Sequence, residues 1–147
     1  MAATRMHFSI EIAAPVARVF DTLIADQSYR DWTAVFAEGS FFDGAWEAGA
    51  KIKFLVPSGQ GMLAEIAAFR AHEFISIRHL GFLRNGELDC ESEQSKNFEP
   101  AFENYYFEAY SSGTRLRVEQ DISAEYEAMM QDIWPKALAR LKQICEG

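Results

Sequence analysis

The side chains in this 147-residue sequence best suited to chemistry are His79, Glu103, Tyr105 and Gln120. Each lies in an alternating segment, on the side opposite the charged residues. A carboxylate beside an imidazole in a low-dielectric setting can share a proton, and burial tunes both groups. Such a pair can anchor the hydroxyl or carboxyl group of a ligand, or act as an acid/base couple. A structural hydrogen bond at a strand end is the plainer alternative, since buried polar groups need partners whatever their role.

Other reactive patterns are incomplete. His72-Glu73 starts like a zinc-binding HExxH helix, but Ser76 stands where the second His belongs and the segment alternates like a strand. Gly59-x-Gly61 has the look of a hairpin turn with no helix after it, so it is no phosphate loop. No Ser occupies a nucleophile-elbow setting. Cys90 and Cys145 are far apart and join no Cys/His set, which fits free thiols in a reducing compartment. Met129 and Met130 read as core filler before they read as a ligand box. No metal or cofactor is expected.

The formal net charge of -8 and a sequence pI near 4.9 disfavour nucleic acid and anionic membrane surfaces as partners. No run approaches the roughly 18 apolar residues of a membrane span, and no secretory apolar core follows the N-terminus. A cytoplasmic protein is expected. Twelve Phe, five Tyr and three Trp are many planar groups for this length, enough to fill a core or to wall an apolar pocket.

The elements that must position the polar four are legible from periodicity. Phe8, Ile10 and Ile12 alternate with polar neighbours as a first strand. Ala14-Pro15 opens a helix with the stripe Val16, Val19, Phe20, Leu23 and Ile24. A short second helix follows, capped by Asp26 or Ser28 and pinned by Trp32. Six strands come next, among them segments 51–56, 62–69, 74–80, 102–110 and 114–122. Residues 81–100 break the pattern around the tight-turn pair Asn85-Gly86. They are acidic and read as a surface loop, or as a cover over a pocket entrance. The chain closes on an amphipathic helix over Ser123 to Glu146, with Ser123 as N-cap and Pro135 inside it as a source of distortion. The order implies an α+β fold, a curved antiparallel sheet wrapped around that helix.

Charge sets the faces. Lys51, Lys53, Glu65, Arg78, Arg115, Arg117, Glu119 and Asp121 mark the solvent side, which turns Ile52, Phe54, Val56, Met62, Ala64, Ile66, Ile75, Ile77, Leu116, Val118 and Ile122 inward. His79 and Gln120 go with them. A two-residue turn at Ser112-Gly113 pairs Tyr105 with Gln120 and Phe107 with Val118, and sends Glu103, Tyr105 and Phe107 inside. A three-residue loop would instead turn Asn104, Tyr106 and Glu108 inward. Strands 74–80 and 102–110, as antiparallel neighbours, bring His79 beside Glu103 at one mouth of the interior.

Ala14-Pro15 before Val19-Phe20, Trp46-x-x-Gly49, Glu103-x-Tyr105-x-Phe107, Gly113-Thr114-x-Leu116 and Trp134-Pro135-x-Ala137-Leu138-x-x-Leu141-Lys142 occur in an order that resembles the START-like (SRPBCC) superfamily. Within it, the chain is similar to the bacterial single-domain branch named for activators of a heat-shock-protein ATPase. The resemblance covers nearly the whole chain and implies one START-like domain over 1–147. It implies a helix-grip fold, with two short helices after the first strand and a seven-stranded sheet gripping the terminal helix around a hydrophobic cavity. Relatives bind lipids, sterols, plant hormones or polyketides, and some cyclise or hydrolyse them. The sequence shows no counterpart of the activators' separate N-terminal domain and no Rieske Cys/His set, so neither ATPase activation nor ring hydroxylation is carried over.

Three functions are compatible with these residues. The first is binding of a small hydrophobic or amphipathic ligand by His79, Glu103, Tyr105, Gln120, Phe54, Ile66, Ile77, Phe107, Met130, Trp134 and Leu138. The second is a protein-interaction or co-chaperone-like domain, with a second copy or another protein as partner. The third is a cyclase or hydrolase using His79 or Glu103 as general base.

Overall fold

The computed structural model describes residues 3–92 and 98–147. Strand β1 (Ala3–Ile12) is followed by helices α1 (Val16–Ile24) and α2 (Asp26–Trp32), then β2 (Phe41–Gly44), β3 (Lys51–Leu55), β4 (Gly61–Arg70), β5 (Phe74–Arg84), β6 (Glu87–Leu88), β7 (Ala101–Tyr110) and β8 (Gly113–Ser123). A 3-10 turn (Ala124–Tyr126) leads into α3 (Glu127–Glu146). The antiparallel sheet runs β1-β8-β7-β5-β4-β3-β2, with β6 paired onto β5. This is the α+β architecture of a curved sheet closed by a long C-terminal helix.

Alternation dictates the layers. Ile52, Ala64, Ile66, Ile75, Ile77, Tyr105, Leu116 and Val118 are buried in one core with Val19, Phe20 and Leu23 of α1 and Trp134, Ala137, Leu138, Leu141 and Cys145 of α3. Arg5 and Asp121, Arg115 and Glu11, and Arg117 and Glu108 pair across strands on the opposite face. The end of α3 is tied down by polar contacts. Arg18 donates to the carbonyls of Cys145 (2.7 Å) and Ile144 (3.0 Å), and Lys142 to that of Glu11 (2.9 Å). The Ile144 and Cys145 carbonyls are among those a helix C-terminus leaves without intrahelical donors, and the Lys142 contact ties the helix to β1.

Four details depart from expectation. The β7–β8 turn is Ser111-Ser112, not Ser112-Gly113, so Glu103 faces Gln120 and Tyr105 faces Val118. The register therefore moves by two residues, which keeps every side chain on its face. Gly113 instead opens β8 at φ 148°, where an added Cβ would run into the carbonyl oxygen of Ile12. Second, β5 does not end at Leu80. It runs to Arg84 and turns through Asn85 (φ 53°) and Gly86 (φ 79°) into β6. Both residues have positive φ, as a tight primed hairpin turn requires. Third, Ser123 precedes the 3-10 turn without capping it by its side chain. Fourth, the α-helix itself starts at Glu127 rather than Ser123, although the expected distortion of its first segment is present as the 3-10 turn and the helix runs through Pro135 to Glu146. Part of the acidic 81–100 stretch, at 93–97, lies outside the described residues. No helix among the described residues is long and apolar enough to cross a membrane.

Candidate functional site

A cavity of about 250 Å³ lies between the sheet, α2 with the segment after it, and the first turns of α3. Its floor is the polar set. β5 supplies His79, β7 supplies Glu103 and Tyr105, and β8 supplies Gln120, all on the concave face because these positions share parity with Ile77 and Val118. Ile77 rather than His79 is the direct cross-strand partner of Glu103. The carboxylate reaches His79 along the diagonal, a spacing that long side chains span.

Glu103 is the hub. Its Oε1 lies 3.0 Å from His79 Nε2 and accepts a hydrogen bond from Gln120 Nε2 at 3.2 Å, while Oε2 accepts one from the Tyr105 hydroxyl. Trp134 on α3 extends the chain by donating its indole N–H to Gln120 Oε1 at 2.7 Å. The amide of Gln120 is thereby fixed, oxygen toward the helix and nitrogen toward the carboxylate. Burial, followed by the nearby Glu103 charge and the hydrogen bond to it, pushes the Tyr105 phenol well above its usual range. Tyr29 is shifted the same way, by burial first and Glu103 second. Both phenols are therefore protonated donors at neutral pH.

Among the described residues, two buried side-chain polar atoms have no hydrogen-bond partner, His79 Nδ1 and Trp46 Nε1. If His79 gives its Nε2 proton to Glu103, its Nδ1 becomes a lone-pair acceptor. Trp46 Nε1 is a donor only. Both rings flank Phe54, with centroid distances of 5.9 Å and 5.8 Å. Most buried polar atoms in native structures are satisfied, so two orphans in one cavity wall need an explanation.

Of the residues predicted from sequence, Phe54, Ile77, Met130 and Trp134 join the polar four at the cavity. Ile66, Phe107 and Leu138 do not reach it. They are buried in the solid core, where Phe107 meets Phe20 edge-on at 5.1 Å. Strand parity does not reveal the remaining wall, made by Tyr29, Trp32, Thr33 and Phe36 of α2 and the segment after it, with Phe41 of β2 and Trp46 beyond that strand. The sequence marks Trp32 as a packing anchor. It is that as well, donating its indole N–H to the Leu23 carbonyl at 3.0 Å. The available signal was compositional, since Tyr29, Trp32, Phe36, Phe41, Phe42 and Trp46 crowd one short irregular stretch. None of the described residues of 81–100 lines the cavity. Among the described residues no three His, Cys, Asp or Glu side chains come together in a way that would hold a metal ion.

Solved structures share this architecture. The chain is similar to protein MLL2253 from Mesorhizobium loti, with a TM-score of 0.75 and 14% identity over 95% of each chain. It is similar to the Aha1 dimer from Colwellia psychrerythraea, with a TM-score of 0.72 and 17% identity over 97% of this chain and 96% of that one. DynU16, from the dynemicin biosynthetic locus, gives a TM-score of 0.71 and 12% identity over 95% of this chain and 46% of the longer one. No protein-family model and no curated protein matches the sequence. The chain thus shares the fold of these solved structures, an antiparallel sheet closed on a long C-terminal helix. At these identities the likeness is one of fold and carries no activity with it.

Proposed function

We propose that this protein binds a small amphipathic molecule in the cavity between the sheet and α3. The observation that carries this reading is a cavity of about 250 Å³, walled by aromatic rings, whose floor gathers His79, Glu103, Tyr105 and Gln120. Apolar walls with a few convergent polar groups are the usual anatomy of a small-molecule site. Phe54, Ile77, Met130 and Trp134 supply the apolar surface. Ile66, Phe107 and Leu138 support it from the core. The volume is below the ~300–1,000 Å³ common for such sites, which favours a compact one- or two-ring molecule over a sterol. Covering ~200 Å² of apolar ligand surface would gain ~5 kcal/mol before the costs of association.

Native mass spectrometry of the protein as purified tests this, together with a thermal-shift panel of compact aromatic and aliphatic amphiphiles. A co-purified small molecule, or a melting temperature that rises with ligand concentration, is the expected outcome. A mass matching the bare chain and a flat panel would sink the reading.

A second reading, self-association, is favoured by one observation, the similarity to the Colwellia psychrerythraea protein solved as a dimer. Sedimentation equilibrium checks it, with a single species at the mass of one chain as the contrary result.

A further inference from the structure

We infer that the cavity selects ligands by charge, taking an uncharged or cationic head group that offers an O–H or N–H donor and rejecting carboxylates, with Glu103 as the specificity-determining residue. This rests on the binding reading above. Among the described residues lining the cavity there is no Lys or Arg, and Glu103 is the single carboxylate. A ligand carboxylate would therefore enter a low-dielectric space that already holds one negative charge and provides no guanidinium or ammonium to offset it.

The hydrogen-bond inventory points the same way. The floor donors turn toward Glu103. Tyr105 gives its proton and Gln120 one of its two amide protons to that carboxylate, the Trp134 indole gives its proton to Gln120, and His79 Nε2 is turned to the same carboxylate. The further donors of the described lining, such as the Trp46 indole and the Tyr29 hydroxyl, are uncharged, so an anionic head group meets no cationic donor of the kind that makes such contacts strong. In the neutral tautomer that puts its proton on Nε2, toward Glu103, His79 has a lone pair on Nδ1. An alcohol, phenol or amine carries the donor which that atom lacks. The aromatic walls do not disfavour a cation, because ring faces attract positive charge. Glu103 thus acts twice, orienting His79 and setting the sign of charge the cavity admits.

The test is isothermal titration calorimetry at neutral pH with matched benzyl and naphthyl series that differ only in the head group: alcohol, amine or carboxylate. The alcohol or the amine is expected to bind, with the carboxylate weaker by about 100-fold, the size of a like-charge penalty across about 6 Å at an effective dielectric of about 20. Binding by the alcohol alone assigns the neutral donor, and binding by the amine as well extends the site to cations. In Glu103→Gln the carboxylate should come within about tenfold of the alcohol, because the penalty is removed with the charge. The wild-type comparison stands whether or not that variant folds. Carboxylates binding the wild-type protein as tightly as the alcohols would overturn the charge filter and leave the binding reading intact. No binding by any head group in either series would overturn both.

Discussion

Replacing Tyr105 with Phe removes one oxygen and tests whether Glu103 is the hub of a satisfied network. Tyr105 is 2% exposed and the Glu103 side chain 16%, so water cannot fully replace the lost donor. Hydrogen bonds to charged groups contribute about 1.5–3 kcal/mol, and a buried acceptor left without its donor carries most of that as a penalty. For a domain of this size each kcal/mol moves the melting temperature by about 2–4 °C, so Tyr105→Phe should melt about 3–12 °C lower. Urea denaturation of the wild type, Tyr105→Phe, Glu103→Gln and the double variant gives the coupling directly. With the charge already gone, the Tyr105→Phe cost should fall to about 1 kcal/mol or less, a coupling of at least ~0.5 kcal/mol. A single variant within ~0.5 kcal/mol of wild type, or strictly additive effects, would refute the hub.

Three further outcomes follow from the same structure. Burial and the Glu103 charge raise the Tyr105 phenol, and burial raises Tyr29, above an unfolded value of about 10. Their contribution to stability is thus complete below about pH 10 and is lost as pH climbs beyond it, by up to ~1.4 kcal/mol per pH unit for each phenol. Phenolate absorbance should lag behind a free-tyrosine titration until the chain unfolds, and two phenols titrating normally in the native state would contradict this. At the other end of the scale, Arg5 holds the Asp121 carboxyl below its ordinary value, helped by the Phe102 N–H at 2.9 Å. Its contribution is present above about pH 4 and lost as pH falls. Asp121→Asn should therefore cost ~1–2 kcal/mol at neutral pH and close on the wild type in acid, as read by denaturant melts. Finally, Ile66→Ala should cost ~2–5 kcal/mol as a buried core truncation, whereas Met130→Ala, at the half-buried cavity wall, should cost less than half as much and alter ligand affinity instead.

The concave face was legible in the sequence because charge and parity agree on it. Lys51, Glu65, Arg115 and Arg117 mark the solvent side so clearly that even the wrong turn residue between β7 and β8 left Glu103, Tyr105 and Gln120 facing inward. The register itself was not legible, because Ser111, Ser112 and Gly113 all suit a turn, and only the collision of a Gly113 Cβ with the Ile12 carbonyl selects among them. Similarly, Ile66, Phe107 and Leu138 have the parity of cavity residues but sit too deep. Parity gives a face, not a depth along the strand. The wall contributed by Tyr29, Phe36, Phe41 and Trp46 is not legible from period, because a short helix, the brief strand β2 and irregular connections carry no long repeat, and only aromatic crowding marks them. The run from Gly81 to Arg84 does not read as strand, because a glycine interrupts the alternation, yet it completes β5. There β4 and β5 shift register between Leu63 and Ala64, and pairing resumes beyond the irregularity.

Pro135 gives α3 two mechanically unequal parts. With no amide proton at that position, the carbonyl of Gln131 lacks its intrahelical donor, and every buried residue of the helix lies at Trp134 or later. The rear portion is riveted by Arg18 and Lys142, while the forward turns, carrying Met130 over the cavity, have only half-buried side chains to hold them. Amide exchange over 127–133 should accordingly outpace that over 137–145, and equal protection would contradict the division.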